Sequence, residues 1–398
     1  MSRRILVIGA WFPYPPRWGW AVRVYQLARQ LAERNEVTLL TYATAADEAN
    51  VPELESQGLQ VKTVRHEALS TKQRRQAQLR SLFSRTPYEP YRTYSPEMQR
   101  AIDGLFANGS FDAVQLESTL VWPFRFPEGT PLVLDEHNVD YETYARMREG
   151  TRSPVRKAFY LVEEGRVRRY VHDAWRRSSG LVLTSDREAE MAREVAPGAP
   201  TAVVPNGVDT DYFQPGTEPV VPRTLVFNGA LDYRPNLDAA LFLVDKVLPR
   251  IRETHPDAKA VIVGRGGAEE IGQLQRPGVE VTGEVPDVRP HLERAEIVVV
   301  PIPAGSGTRF KVVEGLAMAK PMVSTAVGCE GIGVLDGEHL LVADAPADFA
   351  AAVVRLFDDA ELGRRLGEAG REYVDREYSW RRAGERLQAL YDVVLGRG

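Results

Sequence analysis

The sequence predicts an α/β protein made of two similar parallel-sheet units joined near residue 205. Three observations carry this expectation. The 398-residue length suits two domains of the usual size. Short apolar runs alternate with longer amphipathic or polar segments from end to end, the order that feeds an open parallel sheet. That alternation begins afresh after Pro205-Asn206-Gly207-Val208-Asp209, a turn-rich stretch.

In the first half, Arg4–Ala10 reads as a strand and residues 22–33 as a helix, with Val24, Leu27, Ala28 and Leu31 on one side. Residues 36–41 form the next strand, and further apolar runs lie at 113–116, 132–134, 180–183 and 201–204. Residues 156–177 are the longest amphipathic segment and read as a helix, whole or broken. In the second half, strands are expected at 224–228, 260–263, 279–282, 297–301, 322–324 and 340–342. Helices are expected at 235–250, 288–294, 310–319, 346–357 and 360–376. The tail, 379–395, is amphipathic through Trp380, Leu387, Leu390 and Tyr391. Ligands of such sheets bind beyond the strands' carboxyl ends, so two facing halves would place a site in the cleft between them.

Composition narrows the class. Lys and Arg total 50 against 55 Asp and Glu, a net charge of −5, and 43% of residues are hydrophobic. These are globular values, and the mild negative charge argues against a broad nucleic-acid footprint. A single cysteine, Cys329, permits no internal disulfide and fits a reducing compartment. The apolar run after Met1-Ser2-Arg3-Arg4 is too short for a signal peptide, and no apolar stretch is long enough to span a bilayer. A cytoplasmic protein is expected. Two basic stretches, Lys72–Arg85 and Arg152–Arg177, read either as exposed soluble helices or as a peripheral contact with anionic lipid at the inner membrane face.

The most informative segment is 297–325, IVVVPIPAGSGTRFKVVEGLAMAKPMVST. An apolar strand runs into Ala304-Gly305-Ser306-Gly307-Thr308, and a helix follows at once. Glycines let the backbone approach a ligand, and free amides at a helix start attract phosphate. Arg309 and Lys311 add a fork and a point charge beside those amides. Glu314 lies about one turn past Lys311, where a carboxylate could bind ribose hydroxyls.

This segment, together with 227–236 (FNGALDYRPN), resembles the retaining nucleotide-sugar glycosyltransferases of family 4, which have the GT-B fold. Family members usually carry a Glu-x7-Glu motif near EGFGLPxxEAMAxGxPVV. Glu314 aligns with its second Glu, and Ser306 stands in place of the first, which usually contacts the transferred sugar. A GSGTRxK form of the loop occurs within the family, so the departure bears on the identity of the sugar more than on the fold. The resemblance implies two facing Rossmann-like domains with a cleft between them. Residues 1–205 would bind the acceptor, residues 206–378 the donor, and 379–398 would form a C-terminal helix able to cross back to the first domain.

The resemblance also assigns roles. Arg309 and Lys311 look like the diphosphate clamp, with the amides of Gly307 and Thr308 supporting the leaving group. Asn228 and Gly229 end the first strand of the donor domain, where family members bring backbone close to the phosphates. Arg234 either adds charge there or caps a surface loop. Arg265, in Gly264-Arg265-Gly266-Gly267, and Val285, after Gly283-Glu284, mark the two loops that usually hold the base. In the first half, 11–20 (WFPYPPRWGW) follows the first strand where the family often has FPPxxGGxxR. Gly19 keeps the first Gly, Trp20 replaces the second, and Arg23 keeps the Arg. Trp11, Tyr14, Trp18 and Trp20 offer an apolar or ring-stacking acceptor surface, or else wedge between loops and core.

Asp135-Glu136-His137-Asn138 follows another strand and matches the family's His, which helps to position the sugar through a hydroxyl near C6. Asn138 joins it on the acceptor side. Glu117, after 113–116, reads either as a cleft carboxylate or as a cap or salt-bridge partner. The implied reaction moves a sugar from a nucleoside diphosphate to a hydroxyl with retention, by positioning and charge stabilisation in a site screened from water. No Asp-x-Asp site or His/Cys cluster stands out, so neither a metal nor another cofactor is expected. Two alternatives remain at this point: a nucleotide-sugar epimerase of the same fold, and a nucleotide-sugar-binding scaffold without turnover.

Overall fold

The computed structural model describes residues 2–16, 18–66, 71–81, 84–151, 153–303 and 310–396. It divides into two compact units, Met1–Pro205 with Ala383–Gly398, and Asn206–Arg382. Each is a parallel sheet clad in helices.

The first sheet has seven strands: β1 (Arg4–Gly9), β2 (Glu36–Ala43), β3 (Leu59–Arg65), β4 (Ala113–Glu117), β5 (Leu132–Glu136), β6 (Gly180–Leu183) and β7 (Thr201–Val203). Their order is β3-β2-β1-β4-β5-β6-β7, and every pairing is parallel. Helices cover both faces of a parallel sheet, so its central strands are buried on both sides and carry apolar runs, not an alternating pattern. Ile5, Leu6, Val7 and Ile8 are all fully buried. β3 is the exception. It sits at the edge, and Leu59, Val61 and Val64 are buried while Gln60, Lys62 and Arg65 face solvent. That half-polar pattern hides it from a search for apolar runs, and sequence reading passes over it.

The second sheet has six strands: β8 (Val221–Asn228), β9 (Lys259–Val263), β10 (Val279–Gly283), β11 (Ala295–Val300), β12 (Met322–Ser324) and β13 (Leu341–Val342). The order is β10-β9-β8-β11-β12-β13, again parallel. In both units the chain builds outward from its first strand, then returns to that strand's other side. The reversal falls between β1 and β4, and between β8 and β11. It opens a crevice at the carboxyl ends of those strands, where doubly wound sheets bind ligands.

The helix expected at residues 235–250 is not one regular helix. It runs as α-helix over Arg234–Phe242, widens to a π-helix over Leu243–Val247, and resumes over Leu248–Ile251. Pro249 has no N–H to offer the carbonyl four residues back, at Asp245, and the wider turn absorbs the missing bond.

The last helix, Trp380–Val394, packs on the first unit from Ala383 onward. Leu387, Leu390 and Tyr391 are buried there, and Asn35 donates to Gln388 Oε1 at 2.9 Å. Arg3 pairs with Asp392. Gly180 makes room: a Cβ there would lie 2.7 Å from Val394 Cγ2.

Candidate active site

In the first unit the β4–β5 register sets Glu117 directly beside Asp135. Two carboxylates on adjacent buried strand ends repel and are costly to desolvate, so each needs a donor. Arg23 supplies one. It comes from the helix Gly19–Ala32 and is itself buried. Its Nε donates to Asp135 Oδ2 at 2.9 Å and its Nη2 to Oδ1 at 2.6 Å, while Nη1 reaches the Val204 carbonyl at 2.8 Å. His137 supplies the other. Its Nε2 lies 2.9 Å from Glu117 Oε2 and 3.6 Å from Asp135 Oδ2. Burial pushes the Glu117 carboxyl up, while the hydrogen bond to His137 pulls it down.

Glu117, Asp135 and His137 have donor atoms within 4.8 Å of one another, a spacing that could hold a cation. The Arg23 guanidinium already supplies the positive charge against Asp135, and a second cation would have to share that carboxylate. The two carboxylates are better described as a hydrogen-bonded support for the imidazole.

The loop after β1 stands beside it. Trp20 is buried and stacks on His137 with centroids 6.0 Å apart. Trp18 stacks on Trp20 at 5.4 Å, and Trp11 meets both edge-on. Trp11 and Trp18 are exposed at 38% and 48%, so the cluster has one buried end, at the imidazole, and one in solvent. Trp20 Nε1 is buried without a partner among the described residues. Gly19 is exposed, Tyr14 is half-buried against Tyr25, and Asn138 is exposed. Of the residues expected to build the site in the first unit, the structure thus brings together Trp11, Trp18, Trp20, Glu117 and His137. Among the described residues no hydrogen bond, ion pair or ring contact links Tyr14 or Asn138 to them.

In the second unit the carboxyl end of β8 is the focus. Asn228 Nδ2 donates to Glu314 Oε2 at 3.1 Å, and Asn228 Oδ1 is buried with no partner among the described residues. Glu314 belongs to the helix Phe310–Ala317, and burial pushes its carboxyl up. One turn earlier, Lys311 Nζ donates to Asn236 Oδ1 at 3.2 Å and sits 5.6 Å from the Phe227 ring centroid. Gly229 is needed beside it, since a Cβ there would come within 2.8 Å of the Asn236 side chain. Asn236 in turn donates to the Ala230 carbonyl at 2.9 Å, which holds the loop after β8. Asn228, Gly229, Lys311 and Glu314 therefore converge at one strand end.

The remaining donor-side residues are more scattered. Arg265 is exposed and pairs with Asp232 at 2.9 Å, on the loop that follows β8. Val285 is half-buried and packs against the second core. Arg234 points to solvent and pairs with Asp238 one turn on, at 2.8 Å. Gly307, Thr308 and Arg309 lie outside the described residues, as does Ser306.

Sequence reasoning gave no role to Gln115, Asp135, Glu136, Asn236 or Tyr391. Asp135 and Glu136 were detectable in principle: two acids directly after an apolar strand require partners. So was the burial of Arg23, which shares a helix face with Leu27 and Leu31. Gln115 and Tyr391 carry no such signal, because only the packed fold brings them together.

Two doubly wound units, each with polar side chains gathered at the switch point where such sheets bind ligands, fit the GT-B class of nucleotide-sugar transferases. The family comparisons agree. Residues 19–212 match the family described as Glycosyltransferase Family 4, and residues 222–359 match Glycosyl transferases group 1. The chain is a family 4 glycosyltransferase of the GT-B type. A phosphatidyl-myo-inositol mannosyltransferase of Mycobacterium leprae is 26% identical over 77% of this chain and 79% of its own. A glycogen synthase of Mycobacterium tuberculosis is 27% identical over 57% of this chain and 58% of its own. Among solved structures, sucrose-phosphate synthase from Thermosynechococcus elongatus superposes with a TM-score of 0.70 at 19% identity, covering 100% of both chains. Anabaena HepE in complex with UDP and glucose gives 0.68 at 13% identity, over 98% of this chain and 100% of its own. These two likenesses concern the fold.

Proposed function

We propose that this glycosyltransferase moves a sugar from a nucleoside-diphosphate donor to a hydroxyl-bearing acceptor with retention at the anomeric carbon. The donor is assigned to the second unit and the acceptor to the first. The observation that carries the reading is the convergence of Asn228, Gly229, Lys311 and Glu314 at the end of β8. It offers a cation for phosphate and a carboxylate for sugar or ribose hydroxyls at the switch point of one sheet. The HepE structure, which holds UDP, and the mannosyl and glucosyl transferases among the relatives support a nucleotide-sugar donor without choosing its base.

As the bond from sugar to phosphate oxygen breaks, positive character grows at the anomeric carbon and negative charge on the diphosphate. Lys311 and Arg309 oppose the latter, together with the amides of Gly307 and Thr308. The departing phosphate oxygen accepts the proton of the attacking hydroxyl, which approaches on the same face. Arg265 and Val285 border the base. His137 holds a sugar hydroxyl. The tryptophans, with Tyr14, Gly19, Glu117 and Asn138, form the acceptor side. No step in this sequence calls for a metal. The acceptor class is a glycan, a lipid-linked sugar or a small glycoside.

Among the described residues no helix is long and apolar enough to cross a membrane. The helix Pro154–Arg177 nevertheless exposes Val155, Leu161 and Val162 close to Arg156 and Lys157, which supports peripheral contact with anionic lipid from the cytoplasmic side. Incubation with a panel of nucleotide sugars, read by mass spectrometry, tests the main reading. Transfer or slow hydrolysis with release of the nucleoside diphosphate is expected, and proton NMR of the product checks retention. An isomerised nucleotide sugar, or binding without turnover, overturns it.

A further inference from the structure

A buried chain of hydrogen bonds leads from the last helix to His137. Tyr391 Oη donates to Gln115 Oε1 at 2.8 Å, and Gln115 Nε2 donates to Glu117 Oε1 at 2.6 Å. Glu117 Oε2 then meets His137 Nε2 at 2.9 Å. Tyr391 and Gln115 are fully buried and Glu117 nearly so. Neither Tyr391 nor Gln115 has a part in the proposed reaction, and a buried Gln–Tyr pair between a sheet and the helix that covers it is costly unless both ends are satisfied.

The chain has a direction. Burial, reinforced by the charges of Glu117 and Asp135, holds the Tyr391 phenol well above its usual range, so it remains a neutral O–H donor. A donor on Oε1 turns the amide NH2 of Gln115 toward Glu117. The opposite orientation would set two acceptor oxygens against each other. Burial pushes the Glu117 carboxyl toward its neutral form, and the bonds from His137 and from the Gln115 N–H to Oε1 oppose that and favour the carboxylate. With Glu117 ionised, the proton of the shared bond sits on His137 Nε2.

We propose that Tyr391 and Gln115 are positioning residues that hold His137 as its Nε2–H tautomer, leaving the Nδ1 lone pair to meet a substrate hydroxyl. Among the described residues Nδ1 makes no hydrogen bond of its own. Trp20 fixes the plane of the ring by stacking. The charged groups around the imidazole are Glu117 on β4, Asp135 on β5 with Arg23 behind it, and Asp140 at the start of the next helix. Arg3, paired with Asp392, acts on the phenol end together with Glu117 and Asp135. The final segment of the chain thereby supplies part of the environment of a residue on β5's loop. Its consequence for turnover rests on the transferase reading; the tautomer itself does not.

The test is made on the full chain. Imidazole nitrogen NMR of 15N-histidine-labelled protein resolves the six histidines, with His137→Asn assigning the signal. At about pH 7 the wild type is expected to show Nε2 protonated and Nδ1 as the lone-pair nitrogen. Gln115→Met combined with Tyr391→Phe replaces both buried partners by apolar groups of similar shape, which is mild on stability. It should cut the ratio of the Nε2–H form to the Nδ1–H form by about tenfold, the equivalent of one hydrogen bond to a charged group. Tyr391→Phe alone, which keeps the ring, should move the ratio in the same direction by a smaller factor, and decides the matter if the double variant does not fold. An unchanged ratio in a folded variant overturns the proposal, as does a wild type already in the Nδ1–H form. Lack of turnover with every donor would sink the transferase reading and leave the NMR result standing.

Discussion

At the residue scale, the unusual groups are those that burial forces into company. Asp135 lies fully buried with Glu117 as its strand neighbour, and only the fork of Arg23 makes that tolerable. Arg23→Ala should therefore cost about 3–5 kcal/mol in urea unfolding, the range for leaving one partner of a buried pair uncompensated. Glu136 is the opposite case. Its Oε2 accepts from Trp175 Nε1 at 3.1 Å, but its Oε1 has no partner among the described residues. Burial, helped by the charge of Asp140, pushes its carboxyl well above the usual range. The folded state thus holds this proton more tightly than the unfolded chain does. Its contribution to stability is complete below the unfolded carboxyl range and declines as pH rises from there through the folded value. Glu136→Gln should raise the melting temperature at about pH 8 and lose that advantage by about pH 4.

The two site residues whose tests are direct also belong here. Lys311→Ala should weaken binding of a nucleoside diphosphate by about 10–100-fold in calorimetry, since a charge-assisted contact to phosphate is lost. Unchanged affinity removes Lys311 from the clamp. His137→Ala should lower kcat per folded molecule by about tenfold or more while the circular dichroism spectrum stays that of the folded protein, with a lower melting temperature because Glu117 loses its donor. A protein that melts early yet works normally per folded molecule assigns the histidine to the scaffold.

At the scale of elements, the legible parts of the chain were those with a strong local pattern. β1, β4, β5 and β11 are buried over nearly their whole length because helices cover both sheet faces, and the apolar runs this imposes are visible without any structure. The helix Pro154–Arg177 showed itself by length. β3 did not, since its polar face at the sheet edge breaks the apolar run, and the π-turn at Leu243–Val247 did not, since it answers a missing N–H at Pro249 and not a side-chain pattern. The turn residues and charges at 304–309, which lie outside the described residues, are what led to the proposal of a donor side in the second unit. What the elements then add is convergence: Asn228 and Glu314 meet at 3.1 Å from two separate elements.

At the scale of the whole molecule, the last helix is the part whose role is least local. It begins at Trp380 and buries Leu387, Leu390 and Tyr391 against the first unit. Three large side chains of this kind contribute about 5 kcal/mol or more, comparable with the whole stability of a domain. A chain ending at residue 379 should therefore leave the first unit unfolded or aggregated, with amide exchange protection lost across β1, β4 and β6 and largely kept in the second unit. Full protection in the shortened chain would show that the helix is dispensable.

By itself the sequence already determined the fold class, the restart of the pattern near residue 205 and the strand-end position of His137, and it marked the stretch around 304–311 for the proposed donor. All of these are written in local order: apolar period, turn residues, and charge placed next to glycine. Only the tertiary structure decided that Arg23 neutralises Asp135, that Trp20 stacks on His137, and that Tyr391 reaches Glu117 through Gln115. Those contacts join residues far apart in the chain. A hydrogen bond has no sequence signature when its partners meet only after the sheet has set its register and the last helix has packed.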